Sequence, residues 1–369
     1  MLIDGKSYRS IWLDEKDNTV VCVIDQQKLP FFFETKELRS VDDIFNAIKD
    51  MTVRGAPLIG AAGAFGMYLA ALEITRQTNI RDHLSNAGRY LVSCRPTAVN
   101  LSLAVHQIYR KLENLTDPVQ VAEQALKFAQ ELCEMEIENC RKIGEHGLKI
   151  VESISNSKAG ETVNILTHCN AGWLACIDYG TVTAPIYLAL EKGISLHIWV
   201  DETRPKNQGA RLTAWELGKQ GVPYTLITDN AGGHLMQKGM VDLVLVGSDR
   251  TSASGDVANK IGTYLKALAA KDNKIPFYAL LPTSSFDISI HDGIRDIPVE
   301  ERDPEEIMEV EGLSEGRLRS VRICPEDAKT ANWAFDVTPA RLITGLITEK
   351  GIFKAEETDI KKLFSDKSN

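Results

Sequence analysis

The seven cysteines include no C-x-x-C pair, basic residues are not in excess, and no apolar run is long. Each absence closes a class of function. Without thiols at metal-ligand spacing no zinc site is expected, and an odd cysteine count fits a reducing cytosol. Cys133 and Cys140 fall in a helical stretch and need not be ligands. A formal net charge of −9 lacks the basic face that nucleic acid requires, so no nucleic-acid partner is expected. The same field repels anions, so an anionic substrate would need a locally positive pocket. No apolar run reaches the ~18 residues of a membrane span, so no membrane partner is expected. The start, Met1-Leu-Ile-Asp-Gly-Lys6, carries no apolar signal region, and a cytoplasmic protein is expected. Glycines 60, 63 and 66 do not form the dinucleotide fingerprint and follow no suitable strand, which argues against a nicotinamide site.

What is present is an ordinary globular composition, 369 residues with 44% apolar and 25% charged. The length suggests two domains, and the pattern changes near residue 150. Residues 1 to about 35 alternate in short β-like pieces. Thr19–Ile24 is the clearest, and Leu29–Phe33 follows a polar turn. Ser40 opens a helix over 41–51, with Asp42 and Asp43 in its first turn. Val53–Gly60 leads into a helix of small residues over 61–75. Gly63 and Gly66 cost this helix about 1 kcal/mol each against alanine. Close backbone approach is the natural compensation. Ser93–Leu101 interrupts helical patterns on both sides, and 118–153 predicts one or two long helices with Gly144 and Gly147 as a break.

From Thr162, strands at 162–167, 195–200, 223–228, 241–247 and 276–281 alternate with helices such as 209–219 and 258–270. Such alternation implies a parallel sheet covered on both faces. The expected fold class is α/β, with a Rossmann-like parallel-sheet C-terminal domain (151–369). A smaller, mostly helical N-terminal domain with a short β-meander (1–150) precedes it. The stretch 312–331 is polar and predicts a loop. Ordered patterning returns over 332–352, and the last dozen residues predict a frayed end.

In such a sheet, ligands bind beyond the carboxyl ends of the strands. The five strands end in His168-Cys169-Asn170, Asp201–Pro205, Thr228-Asp229-Asn230, Gly247–Arg250 and Pro282–Ser285. Each group alone has an ordinary explanation. A cysteine is commonly a small buried hydrophobe, a strand-end aspartate an N-cap, an early-helix lysine such as Lys260 solvated surface. Arg54 and Arg95 could be structural ion pairs, and His168 a hydrogen-bonded neighbour sooner than a metal ligand. Together they describe a phosphate site. Arginine forks and helix amino ends are what a phosphate dianion seeks, and Asn259 and Lys260 are expected to open a helix. Cys169 and Asp249 end two strands of one sheet and could face each other across a bound sugar. Gln208 could bond a hydroxyl or a phosphate oxygen.

Several motifs then carry a resemblance. They are Arg54-Gly-Ala-Pro-Leu-Ile-Gly60, Arg95-Pro-Thr-Ala-Val-Asn100, Cys169-Asn-Ala-Gly172, Glu202-Thr-Arg-Pro205, Gln208–Glu216, Gly247-Ser-Asp-Arg250, Gly255–Tyr264, Ile297–Arg302 and Phe335–Pro339. In order and over almost the whole chain, they resemble the methylthioribose-1-phosphate isomerases. The wider family also holds ribose-1,5-bisphosphate isomerases and regulatory subunits of the initiation-factor exchange complex. The resemblance implies a homodimeric, metal-independent enzyme of methionine salvage that needs no cofactor. Its substrate would be the phosphorylated pentose 5-methylthioribose 1-phosphate and its product 5-methylthioribulose 1-phosphate. It implies Asp249 as catalytic acid and Cys169 as its partner. It places Arg54, Gly55, Ala56, Arg95, Gln208, Asn259 and Lys260 on substrate. The thiolate could carry a proton between carbons, or steady charge during a hydride shift. Two stretches depart from the pattern, Asp229-Asn-Ala-Gly-Gly-His234 and Thr251-Ser-Ala-Ser254. Both bear on the far end of the substrate, which makes 5-deoxyribose 1-phosphate an alternative. A non-catalytic sensing subunit is the competing class.

Overall fold

The structure, a computed structural model, describes residues 1–96 and 98–365. They form two compact units, Met1–Gly144 with Ala171–Ala184, and Glu145–Asn170 with the chain from Pro185 onward.

The first unit begins with a hairpin, β1 (Leu2–Ile3) and β2 (Lys6–Ser7). An antiparallel meander follows, β3 (Ile11–Leu13), β4 (Val21–Ile24) and β5 (Thr35–Leu38). The expected strand at 19–24 is β4, buried throughout. The piece at 29–33 is a turn instead, with the Lys28 carbonyl accepting from the N–H groups of Phe31 and Phe32. Helix α1 (Val41–Lys49) starts at Ser40, whose side chain accepts the Asp43 N–H while Asp43 accepts the Ser40 N–H. This reciprocal pair satisfies two donors that a helix start otherwise leaves open.

Helix α2 (Ala56–Leu72) begins five residues earlier than expected, because Gly55 caps it at φ 95° and Pro57 suits its first turn. Residues Pro57–Ala71 are all buried, as expected of a helix apolar on every face. A Cβ on Gly63 would lie 2.5 Å from Leu101 Cδ1, and one on Gly66 2.9 Å from Leu91 Cδ1. One on Gly60 would lie 3.2 Å from the Asn100 carbonyl oxygen. The glycines admit α3 (Ile80–Ser93) and α4 (Val99–Leu112), so close approach offsets their poor helix propensity. Thr97 of the arginine motif lies outside the described residues. Helix α5 (Pro118–Ser157) runs unbroken through the expected interruption at Gly144 and Gly147. A Cβ on Gly147 would lie 2.9 Å from Pro185 Cβ, so this glycine serves packing and not termination.

In the second unit, β6 (Val163–Thr167), most of α6 (Thr183–Glu191), β7 (Leu196–Asp201), α7 (Ala214–Lys219), β8 (Tyr224–Ile227), α8 (Ala231–Gln237) and β9 (Leu243–Val246) come first. Then come β10 (Arg250–Ser252), β11 (Val257–Lys260), α9 (Thr263–Asp272), β12 (Phe277–Leu280), β13 (Phe286–Asp287), α10 (Gly293–Asp296) and α11 (Glu305–Met308). The chain closes with β14 (Glu309–Ser314), β15 (Arg317–Arg322), β16 (Phe335–Thr338), β17 (Gly345–Thr348), β18 (Gly351–Phe353) and α12 (Glu357–Ser365). The main sheet has the order β18-β17-β12-β9-β6-β7-β8, and only β18 is antiparallel. All five expected strands are in it. Its central members, β6 and β9, are the apolar runs that burial on both faces requires.

Three expectations change. The supposed loop over 312–331 is largely the hairpin β14–β15, turned by Glu315 at φ 51° and Gly316 at φ 74°. It pairs only with itself, so its polar strands carry no burial pattern. The end expected to fray is helix α12, anchored by buried Ile360 and Leu363 and by Phe364 against Phe286 (centroids 5.5 Å). Residues 366–369 of that end lie outside the described residues. The helix expected from 258 begins at Thr263, because Gly262 at φ 102° caps it and 257–260 pair as a strand.

A largely buried ion cluster secures the base of the hairpin. Arg302 reaches Glu306 Oε1 at 2.7 Å and Glu300 Oε1 at 3.0 Å, and the Asn332 amide reaches Glu306 Oε2 at 3.0 Å. Burial pushes the Glu306 carboxyl up, but the Arg302 bonds and charge outweigh it and hold it below its ordinary 4.5. A lowered carboxylate stabilises the fold above its unfolded value and loses that contribution as pH falls through the folded one. Arg302→Met should therefore cost about 3 kcal/mol at pH 7, measured by urea unfolding. The gap to wild type should narrow below pH 4.5. A gap constant from about pH 7 to pH 3 would contradict this account.

Candidate active site

Cys169 lies two residues beyond β6 with φ 65°, a left-handed conformation unusual without glycine. Two threonines hold its peptide groups. The Cys169 N–H donates to Thr203 Oγ1 at 2.8 Å, and Thr213 Oγ1 donates to the Cys169 carbonyl at 2.6 Å. Thr203 follows β7 and is also left-handed (φ 65°). Asp229 accepts its N–H at 2.7 Å and that of Arg204 at 2.8 Å. Thr213 closes a π-helical turn, Gly209–Thr213, a rare element that concentrates at functional sites. A Cβ on Gly209 would lie 1.7 Å from the Asp201 carbonyl oxygen, so only glycine fits. The Asn170 amide reaches Thr213 Oγ1 at 3.2 Å and Glu216 Oε1 at 3.1 Å. Gln208, at the head of the π turn, is buried, and its Oε1 has no hydrogen-bond partner. A buried acceptor in that condition is costly, and a ligand hydroxyl would satisfy it.

Strands β6 and β9 are parallel neighbours, with Thr167 opposite Leu245. The chain therefore leaves both at one edge of the sheet, with Cys169 two residues beyond one register partner and Asp249 four beyond the other. The Asp249 N–H donates to the Ala258 carbonyl at 2.9 Å, which brings the carboxylate residue beside Asn259 on β11. Asn259 and Lys260 thus sit at a strand end and not, as expected, at a helix amino end. Pairing with both β10 and β16 makes the segment a strand. Asn259 Nδ2 still touches the helix, donating to Thr263 Oγ1 at 3.0 Å. Lys260 Nζ lies 5.0 Å from the centre of the Phe335 ring.

Arg54, Gly55, Ala56 and Arg95 belong to the first unit. Gly55 has no room for a side chain, since a Cβ would meet Ala175 at 2.5 to 2.6 Å. Arg54 therefore enters α2 on a fixed backbone. Arg95 follows α3, its carbonyl accepting the Ala98 N–H at 3.0 Å.

His168 points into a buried charge cluster. Its Nδ1 lies 2.8 Å from Asp201 Oδ2, and its Nε2 lies 2.8 Å from the Ile261 carbonyl. That carbonyl can only accept, so Nε2 carries a proton. Lys266 Nζ lies 3.0 Å from Asp201 Oδ2 and donates to the Asp229 carbonyl at 2.5 Å. His168, Asp201 and Asp229 are the group of possible metal ligands among the described residues, with ligand atoms within 4.8 Å. The Lys266 ammonium already sits on Asp201 Oδ2, and Nδ1, the ring nitrogen that faces the carboxylates, is already bonded to the same oxygen. Burial, with the nearby charge of Asp229, raises the Glu202 carboxyl above its ordinary range.

Thr203, Thr213, Asp201 and Lys266 are absent from the residues expected from the sequence. Thr203 and Asp201 lie in a strand end noted for its polarity and Thr213 in the quoted Gln208–Glu216 motif, whereas Lys266 has no local signal. The two departures from the family pattern serve internal packing. Gly232 leaves space for Leu166, a Cβ there lying 3.0 Å from its Cδ1. Ser252 and Ser254 bond each other at 2.7 Å, and Ser254 donates to Asp256 Oδ2 at 2.7 Å. Asp256 in turn accepts N–H groups of Gly293 at 3.0 Å and Ala340 at 2.9 Å.

The charge cluster makes a direct expectation. Lys266→Met leaves Asp201 buried with half its compensation and should cost about 3 kcal/mol of unfolding free energy. An unchanged denaturation midpoint in this variant would remove Lys266 from the cluster's energetics.

The model of the initiation factor 2 subunit family matches residues 52–355. The methylthioribose-1-phosphate isomerase of Desulfatibacillum aliphaticivorans is 55% identical, covering 100% of both chains. The 5-methylthioribose 1-phosphate isomerase of Pyrococcus horikoshii superposes with a TM-score of 0.83 at 38% identity, over 97% of this chain and 96% of that one. The translation initiation factor eIF-2B delta subunit from A. fulgidus superposes at 0.79 with 39% identity, over 97% and 99%. The chain belongs to the initiation factor 2 subunit family, and within it to the methylthioribose-1-phosphate isomerases.

Proposed function

We propose that this isomerase converts 5-methylthioribose 1-phosphate into 5-methylthioribulose 1-phosphate, an aldose–ketose step of methionine salvage in the cytoplasm. The observation that carries the reading is that Cys169 and Asp249 leave two hydrogen-bonded parallel strands at the same edge. Similarity over the whole chain to relatives of that name supports it.

The chemistry accounts for the residue types. Phosphate on the anomeric oxygen prevents the ring from opening to a free aldehyde. The ring oxygen must be protonated as its bond to carbon 1 breaks, and we assign that proton to Asp249. Hydrogen then moves from carbon 2 to carbon 1, either as a proton carried by the Cys169 thiolate or as a hydride with the thiol steadying charge. The oxidation at carbon 2 balances the reduction at carbon 1, so no external oxidant enters. We assign the phosphate and hydroxyls to Arg54, Gly55, Ala56 and Arg95 together with Gln208, Asn259 and Lys260. The unpartnered Oε1 of Gln208 supports its part in this set. A methylthio group in an apolar pocket contributes only about 1–3 kcal/mol of discrimination, so we propose 5-deoxyribose 1-phosphate as a second, slower substrate. The enzyme acts as a homodimer in this reading.

Similarity to the eIF-2B delta subunit favours a second reading, a non-catalytic regulatory subunit. The purified protein should turn over both sugar phosphates, and Cys169→Ala or Asp249→Asn should each reduce kcat by roughly 100-fold or more with the fold intact. Absence of ketose from both substrates would end the isomerase reading. Full biological activity in both variants would favour the regulatory one. In deuterium oxide, deuterium at carbon 1 of the product would select the proton route, and complete retention of the original hydrogen would exclude a proton route that exchanges with solvent.

A further inference from the structure

The left-handed backbone of Cys169 is a second-unit feature that the proposed chemistry uses but does not explain. A non-glycine residue in that region is strained and persists only where its surroundings over-determine it. Two hydroxyls do this, and their protons have only one arrangement. Thr203 Oγ1 lies 3.0 Å from the Asp201 carbonyl, which can only accept, so the Thr203 proton goes there and its lone pair receives the Cys169 N–H. Thr213 gives its proton to the Cys169 carbonyl and receives the Asn170 amide. Thr203 is itself left-handed and pinned by Asp229, and Thr213 is brought into place by the extra residue of the π turn. Among the described residues, both hydroxyls bond only to this strand end and its supports.

We propose that Thr203 and Thr213 are positioning residues of the isomerisation, a two-hydroxyl clamp on the Cys169 peptide that fixes the direction of its thiol. The proposal rests on Cys169 acting in turnover, as set out above. Valine has the shape of threonine without the hydroxyl, and serine keeps the hydroxyl without the methyl. Threonine-to-valine changes therefore release the peptide while filling the same volume.

The test compares Thr203→Val, Thr203→Ser, Thr213→Val and Thr213→Ser in the full chain. Two quantities are read: steady-state kinetics on 5-methylthioribose 1-phosphate, and the rate of iodoacetamide alkylation at Cys169 followed by peptide mass. A misplaced reacting group costs up to ~100-fold, so each valine variant should lose roughly 10- to 100-fold in kcat with KM changed less than about 3-fold. Its alkylation rate should differ from wild type by about 5-fold or more. Both serine variants should return to within about 3-fold of wild type in both quantities. Folded valine variants with wild-type kcat and alkylation overturn the clamp. If one valine variant does not fold, the other pair decides. If neither folds, the hydroxyls serve stability and the proposal is overturned. Alkylation needs no substrate, so it judges the clamp even if the wild type fails to isomerise, which would sink the functional reading alone.

Discussion

Asp201 is the fixed point on which this site depends. Its carboxylate, completely buried at the end of β7, holds both His168 and the Lys266 ammonium on Oδ2. Its carbonyl takes the Thr203 hydroxyl proton and lies so close to Gly209 that no side chain fits there. One residue thus binds the strand that carries the thiol, the helix α9 that carries Lys266, and the π turn that carries Thr213. A carboxylate in a dry interior is tolerated only when its charge is met, and here a lysine and a histidine meet it.

Around that point the sheet supplies order. Parallel pairing of β6 with β9 makes their carboxyl ends adjacent without further adjustment, because parallel strands of matched register end together. The thiol and the carboxylate are then brought to one edge by backbone hydrogen bonds. Just past that edge lie three of the chain's left-handed non-glycine residues, Cys169, Thr203 and Asn207. Rigid strands with strained connections at their ends are a common way to hold reactive groups in directions that regular structure does not offer. Other thiols are placed for packing. Burial drives the Cys133 thiol up to about 12, and a hydrogen bond with the Cys176 thiol, together with burial, raises that of Cys140 well above its ordinary value. Thiols in that state are not nucleophiles at neutral pH.

Legibility followed burial. The strands that became β6, β7, β8, β9 and β12 were apparent as apolar runs between turns, and α1 was apparent from Ser40 and its acidic first turn. The hairpin β14–β15 was not, because a ribbon solvated on both faces leaves no alternation to find. Gly147 misled because glycine breaks an exposed helix but is equally used where another chain segment packs against a buried one. For Asn259 and Lys260 the residues were picked out, while their secondary structure was not, since four residues fit a strand or a first helical turn equally well.

By itself, the sequence determined the α/β class, the family, and the candidate residues Cys169, Asp249, Gln208, Asn259 and Lys260. Apolar periodicity and contiguous motifs are local properties that survive in one dimension. Only the tertiary structure decided the strand order, the left-handed thiol residue, the Asp201–Lys266–His168 cluster and the two threonines on the Cys169 peptide. Those depend on partners 33 to 44 residues apart around Cys169 and on a lysine 65 positions from its carboxylate, from Asp201 to Lys266. A hydrogen bond between such distant groups leaves no spacing rule in the chain, because the fold and not the separation sets the distance.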